Sequence, residues 1–332
     1  MLNSKLSWHR CQSIGGHGWR DTMVAHFKVT PGRVPAHRVN RDNVEELLGR
    51  RAPWFRPGKH RSEDRHYAVC PYCDNAIQLK GVYKEAVERA RRYGSHLGEP
   101  VDGFVFNRLD LEFCPYKIKA SARSKSNRRA PGPVSQELID LAITEFDRIV
   151  LILRTDFGFS FSDRFAGRML DQWLDSEGYL YTGAHLRNLP WMIAYFGPAQ
   201  SLYGQYVGNN AELAQGIRTK VPAAMLTEEG QLTSDKKKQF FKLELQCLHH
   251  RVAVDPEDGS LIETLKLRVQ DFTRFNEPAK APKVYETQIV FDPDRFEALI
   301  HVPPERAWRN ETLLALARDI AAKRGIQCPI PE

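Results

Sequence analysis

No stretch of this 332-residue chain approaches the run of roughly 18 apolar residues needed for a membrane span, and its first ten residues lack a signal peptide's apolar core. A cytoplasmic protein is expected. Six cysteines are too few for a disulfide scaffold, so clustered thiols point to a metal before a disulfide. A phosphate-cradling G-x-x-x-x-G-K-[ST], an H-E-x-x-H and a G-x-S-x-G are all missing. No familiar reaction is therefore announced.

What is present is concentrated between His66 and Lys119. This segment holds Cys70-Pro71-Tyr72-Cys73, Tyr93-Gly94-Ser95-His96 and Phe113-Cys114-Pro115-Tyr116. Two thiols separated by two residues can turn toward one tetrahedral ion, and a distant pair of soft ligands closes the shell. Cys70, Cys73, His96 and Cys114 are the expected zinc ligands, with His66, Cys11 and His17 competing for the third and fourth positions. Four protein ligands leave no position for water, so the zinc would be structural. Val82, Ala86, Val87 and Ala90 predict a helix over 82–92 beside the metal loop.

Charge is distributed unevenly. Residues 1–133 carry 25 Lys+Arg against 13 Asp+Glu, net +12, and residues 134–332 carry 23 against 28, net −5. Such a basic half suits a polyanion, nucleic acid first, though it also serves solubility. Residues 117–133 contain Lys117, Lys119, Arg123, Lys125, Arg128 and Arg129 and no acid, which predicts a flexible linker that contacts phosphates. Upstream, Arg50, Arg51, Arg56, Lys59, Arg61 and Arg65 are interleaved with Trp54 and Phe55, suiting either base stacking or a loop tucked onto the body.

The motifs Cys70-Pro71-Tyr72-Cys73, Tyr93-Gly94-Ser95-His96, Phe113-Cys114-Pro115-Tyr116 and Asn188-Leu189-Pro190-Trp191 resemble uncharacterised zinc-finger-like proteins of bacterial mobile and defence islands. That resemblance implies an accessory, polyanion-related role in such a system. It supplies no activity.

The expected fold class is α+β, a small zinc-bound N-terminal module (1–120), a basic linker (121–133) and a larger domain (134–332). In that domain, helices are expected over 134–220, antiparallel strands over 240–291 and a final helix over 304–324. Leu138, Leu141, Ala142, Phe146, Ile149, Val150 and Leu153 recur at helical spacing with Ser135 as cap, and Phe165 to Leu174 follow Ser162 in the same way. Tyr179, Tyr181, Trp191, Tyr195, Phe196, Tyr203 and Tyr206 read as core. Pro190 opens a short helix with Asn188 as cap, and Trp308 belongs to the apolar face of the last helix. From Phe240 the apolar period becomes two, with a turn at 255–259 and a third strand over 284–291.

Two other functions remain open. The aromatic cluster, with His185 and Arg187 beside it, suits an interaction subunit carrying a structural zinc. The acids around Glu244 and Glu263 suit a metal-dependent nuclease on the 240–270 hairpin, but Asp255 and Asp258 are accounted for by the turn. Asp171 and Asp175, four apart, read as a solvated helix face.

Overall fold

The computed structural model describes residues 23–84, 91–117, 123–234, 240–255, 257 and 259–326. The strands are β1 His26–Phe27, β2 His37–Arg38, β3 Phe55–Arg56, β4 Arg65–Val69, β5 Ala76–Lys80, β6 Tyr93–His96, β7 Gln200–Ser201, β8 Ala224–Leu226, β9 Leu232–Ser234, β10 Leu243–Val254, β11 Leu261–Asp271 and β12 Lys283–Val290. The helices are α1 Arg41–Asn43, α2 Arg108–Glu112, α3 Pro133–Thr144, α4 Phe146–Phe157, α5 Asp163–Asp175, α6 Leu189–Phe196, α7 Ala211–Lys220, α8 Pro293–Ile300 and α9 Glu311–Lys323.

Two open antiparallel sheets, ordered β3-β4-β5-β6 and β12-β11-β10-β7, make this an α+β fold. The first sheet carries a small core of Val24, Phe27, Leu48, Ala68 and Ile77 around the cysteines. The second joins α3 to α9 over a much larger core that includes Phe146, Trp173, Trp191, Leu267 and Phe296. Alternation explains the second sheet: Leu243, Leu245 and Cys247 of β10 and Leu265, Leu267 and Val269 of β11 are all buried, with polar residues between them. Three of its strands are the expected meander, and β7 adds a short edge.

Several boundaries differ from the sequence pattern. The first long helix is two, because Glu145 leaves helical geometry (φ −118°, ψ 21°) between α3 and α4. Gly132 caps α3, and Ser135 sits three residues inside, its hydroxyl accepting from Gly132 N–H at 2.9 Å. Ser162 does cap α5, accepting from Phe165 N–H at 3.3 Å. The final helix starts only after Asn310, whose side chain accepts from Leu313 N–H, while Arg309 is pinned to Asp147 at 2.9 Å. Trp308 therefore precedes the helix and is 82% exposed. Residues 85–90, most of the expected helix beside the metal loop, lie outside the described residues.

Tyr181, Trp191, Tyr195 and Phe196 are buried as expected, but Tyr203, in the turn after β7, and Tyr206, in isolated bridges to Ser160 and Gln231, are exposed. Asp171 and Asp175 hold Arg324 at 2.7 and 2.8 Å, an ion pair between α5 and the end of α9.

The turns near Gly208 and Gly230 touch backbone to backbone. Gly208 N–H donates to Gly230 O at 3.0 Å, and a Cβ on Gly208 would stand 2.6 Å from Gly230 Cα. Gly208→Ala is expected to destabilise the chain by about 1–3 kcal/mol, because main chain must shift to admit the methyl. Urea unfolding followed by circular dichroism measures this; an unchanged midpoint would count against the close contact.

Candidate metal centre and the buried junction beside it

β4 leads directly into the first cysteine knuckle. Cys70 N–H donates to Asn75 O at 2.9 Å and Asp74 N–H to Cys70 O at 3.1 Å, a reversal that needs a left-handed residue, supplied by Asp74 at φ 56°. Asn75 fixes the loop from both sides, donating to Cys73 O and accepting from Asn107 N–H. β6 ends on His96, whose partner across the sheet is Ile77 of β5. α2 ends just before Cys114, where Lys117 N–H closes a second turn onto Cys114 O at 2.7 Å. Two knuckles and one strand end thus converge.

The ligand atoms of Cys70, Cys73, His96 and Cys114 all lie within 4.8 Å of one another, and all four residues are buried. Cys70 Sγ to Cys114 Sγ is 3.9 Å, Cys73 Sγ to His96 Nε2 is 3.4 Å and Cys114 Sγ to His96 Nε2 is 3.7 Å. A tetrahedral zinc ion with ordinary bond lengths has S···S edges of about 3.8 Å and S···N edges of about 3.6 Å. The donor set and its spacing fit such an ion. Burial raises all three thiols, but hydrogen bonds from Cys114 and Cys73 outweigh it at Cys70 and hold that thiol well below its ordinary range.

Of the competing ligands, His66 packs between Phe55 and Tyr83, with ring centroids 4.9 and 5.3 Å away. Cys11 and His17 lie outside the described residues. Among the described residues no second group of three His, Cys, Asp or Glu side chains has metal-binding geometry.

Tyr72, between the two ligands of the first knuckle, belongs to the small core and reaches from it to His185 and Arg187. Its hydroxyl accepts from Arg187 Nη1 at 3.0 Å, and its ring meets His185 and Tyr116 edge-on, with centroids 4.9 and 5.3 Å apart. Burial pushes the phenol up to about 12 despite the guanidinium, so it stays protonated. Arg187, also buried, pairs with Asp294 and Glu297 of α8, reaching Glu297 at 3.0 Å.

Next to it lies a charge that the sequence pattern did not flag. Glu263 shares the inward phase of β11 with Leu265 and Leu267, and its carboxylate accepts from His185 Nε2 at 2.7 Å, His250 Nε2 at 2.9 Å and Asn188 Nδ2 at 2.9 Å. His250 reaches it through a β-bulge. The register of β10 shifts between Leu248 and Arg251, and His249 takes φ 56°, so His250 faces inward where simple alternation would have turned it out. Beyond it, His250 Nδ1 lies 3.2 Å from Tyr181 Oη, which donates to Arg123 O at 3.0 Å. His250 thus bridges the buried carboxylate and Tyr181 through its two ring nitrogens. The signal available in the sequence was an acid in an apolar phase. Asn188 serves here and does not cap α6.

The hairpin acids do not gather as a nuclease site would require. Glu244 pairs with Lys242 at 2.8 Å, and Lys266 turns to Glu286 at 3.3 Å on the opposite face from Glu263.

The basic residues after the second knuckle fold back onto the body. Arg123 donates to Pro115 O at 2.7 Å, Lys125 to Tyr195 O at 2.7 Å and Arg128 to Ser176 O at 2.7 Å. Arg129 is buried, and burial lowers it to about 10 even with Asp110 nearby. Lys117 is half-buried, and Lys119 lies outside the described residues.

No family model, curated protein or solved structure matches this chain, so the resemblance to zinc-finger-like proteins gains no support beyond the metal-binding cluster itself. Among the described residues no helix is long and apolar enough to cross a membrane.

Metal analysis of the purified chain is expected to find one zinc. Cys73→Ser should lose it and several kcal/mol of stability, while His66→Gln should keep it. A zinc-free chain that melts like the loaded one would refute the site.

Glu263→Gln is expected to cost about 3–5 kcal/mol at pH 7, since His185, His250 and Asn188 lose the buried charge they are arranged around. Burial pushes Glu263 up, but His185 and His250 hold it well below the usual carboxylate range. Its stabilisation is therefore complete above the unfolded value of about 4.3 and is lost as pH falls through the native one. Burial likewise holds His185 low, outweighing Glu263, so its contribution fades as pH drops below about 6.5. Urea midpoints should show the gap between parent and variant holding from pH 7 down to about 4 and narrowing only below that.

Proposed function

We propose that this is a zinc-stabilised nucleic-acid-binding protein whose metal half presents phosphate-binding arginines. The observation that carries this reading is a row of guanidiniums laid over aromatic rings beside the metal sheet. Arg50 lies 5.3 Å from the Phe55 centroid, Arg51 5.7 Å from Trp54 and Arg56 5.1 Å from Tyr67. All three arginines are exposed. Stacking on a ring holds a guanidinium in place while its N–H edge can still meet a phosphate. The net charge of +12 over residues 1–133 supports the same partner.

The run after the second knuckle has a narrower part in this reading. Arg123 and Arg129 serve the body, while Lys125 and Arg128 border an open groove of about 490 Å³ with Ser126, Gln172, Ser176, Phe196 and Pro198 and no carboxylate among the lining residues. Among the described members of the run, these two line that groove while also donating to Tyr195 O and Ser176 O. A role as an accessory factor of a bacterial mobile element or defence system rests on the motif resemblance alone.

Fluorescence anisotropy with labelled 20-mers, single-stranded and duplex, between 50 and 200 mM salt tests the reading. The triple variant Arg50→Gln/Arg51→Gln/Arg56→Gln should bind more weakly and flatten the plot of log K against log salt by roughly 0.7–0.9 for each lost contact. Equal binding by parent and variant would assign the arginines to solubility, and a parent that binds neither probe at low salt would favour the interaction-subunit alternative.

A further inference from the structure

Several aromatic side chains that the core leaves exposed gather at one end of the larger sheet. Tyr203 follows β7, Phe240 and Lys242 precede β10, and Phe275 follows β11. Antiparallel pairing brings these strand ends together: Leu202 N–H donates to Leu243 O at 3.0 Å and Phe272 N–H to Lys242 O at 2.7 Å. Phe240 is 74% exposed, Tyr203 52% and Phe275 37%. Tyr203 is held in place, its hydroxyl hydrogen-bonded to Thr233 and Ser234 and its ring 5.9 Å from that of Phe241.

In the sequence, Phe240 follows a basic run within a half whose net charge is −5: residues 235–242 read Asp-Lys-Lys-Lys-Gln-Phe-Phe-Lys, of which 235–239 lie outside the described residues. Lys242 sits 5.6 Å from the Phe272 ring and shares its charge with Glu244 at 2.8 Å, while Arg274 is exposed. Exposed π faces among cations complement the bases and phosphates of an unpaired strand, which a duplex keeps stacked inside. A lipid surface would call for a continuous apolar face, usually along a helix, and these rings stand on separate strand ends.

We propose that Tyr203 and Phe240, with Lys242 and Arg274, form a stacking platform for single-stranded nucleic acid. The inference rests on the nucleic-acid reading above and adds a preference for unpaired strands at a second site.

The test uses the full chain with labelled oligo-dT and a hairpin duplex. Tyr203→Ala and Phe240→Ala should each weaken oligo-dT binding by about 5- to 150-fold, leave duplex binding within about twofold and leave the salt slope unchanged, because the lost contact is stacking. Tyr203→Phe and Phe240→Tyr should bind oligo-dT like the parent. Alanine variants that bind oligo-dT as the parent does would overturn the platform and leave the arginine surface standing. A parent that binds neither probe overturns both. Loss of co-sedimentation with phosphatidylserine vesicles in the alanine variants, with oligo-dT binding intact, would assign the rings to a membrane surface.

Discussion

A carboxylate cut off from water must have its hydrogen bonds and counter-charge supplied by the protein, and Glu263 sets that demand at the centre of this molecule. Three donors meet it from different parts of the chain: His185 and Asn188 from the turn before α6, and His250 from β10. Each needed its own local device. The bulge at His249 rotates His250 inward, and Asn188 uses its other contacts to hold that turn, accepting from His185 N–H and donating to Gly183 O. His250 and Trp191 then stack on the two sides of Phe291, so the polar network is continuous with the apolar core.

The metal centre solves a different problem. The core around the cysteines is small, and a sheet of strands two to five residues long buries too little apolar surface to hold two long loops. A tetrahedral ion would tie both knuckles to the end of β6 without needing more volume. The first knuckle also supplies Tyr72, so the same short turn that approaches the metal presents the ring that meets His185 and Arg187.

The legible parts of the sequence were those governed by short-range rules. Cys70, Cys73, His96 and Cys114 could be picked out because soft ligands at knuckle spacing are rare, and β10 to β12 because apolar alternation sustained over eight to twelve residues fits little besides a half-buried strand. The break at Glu145 was hidden because apolar spacing runs through both helices, and Trp308 was misplaced because an apolar residue near a helix resembles one inside it. The run from Arg123 to Arg129 read as a solvated linker since composition cannot show that carbonyls at 115, 176 and 195 wait for those cations. Glu263 and His250 stand 13 residues apart and depend on a bulge, which no periodicity reveals.

The order in which these groups leave a ribosome follows from their positions. All four metal-site residues lie within the first 114, whereas Tyr72 meets residues at 185 and 187, Arg187 in turn pairs with 294 and 297, and the buried carboxylate stands at 263. At roughly 5–20 residues per second, synthesis separates Cys114 from Glu263 by about seven to thirty seconds. The metal ligands and Tyr72 are therefore made well before His185, Arg187 and the buried acid that they come to adjoin.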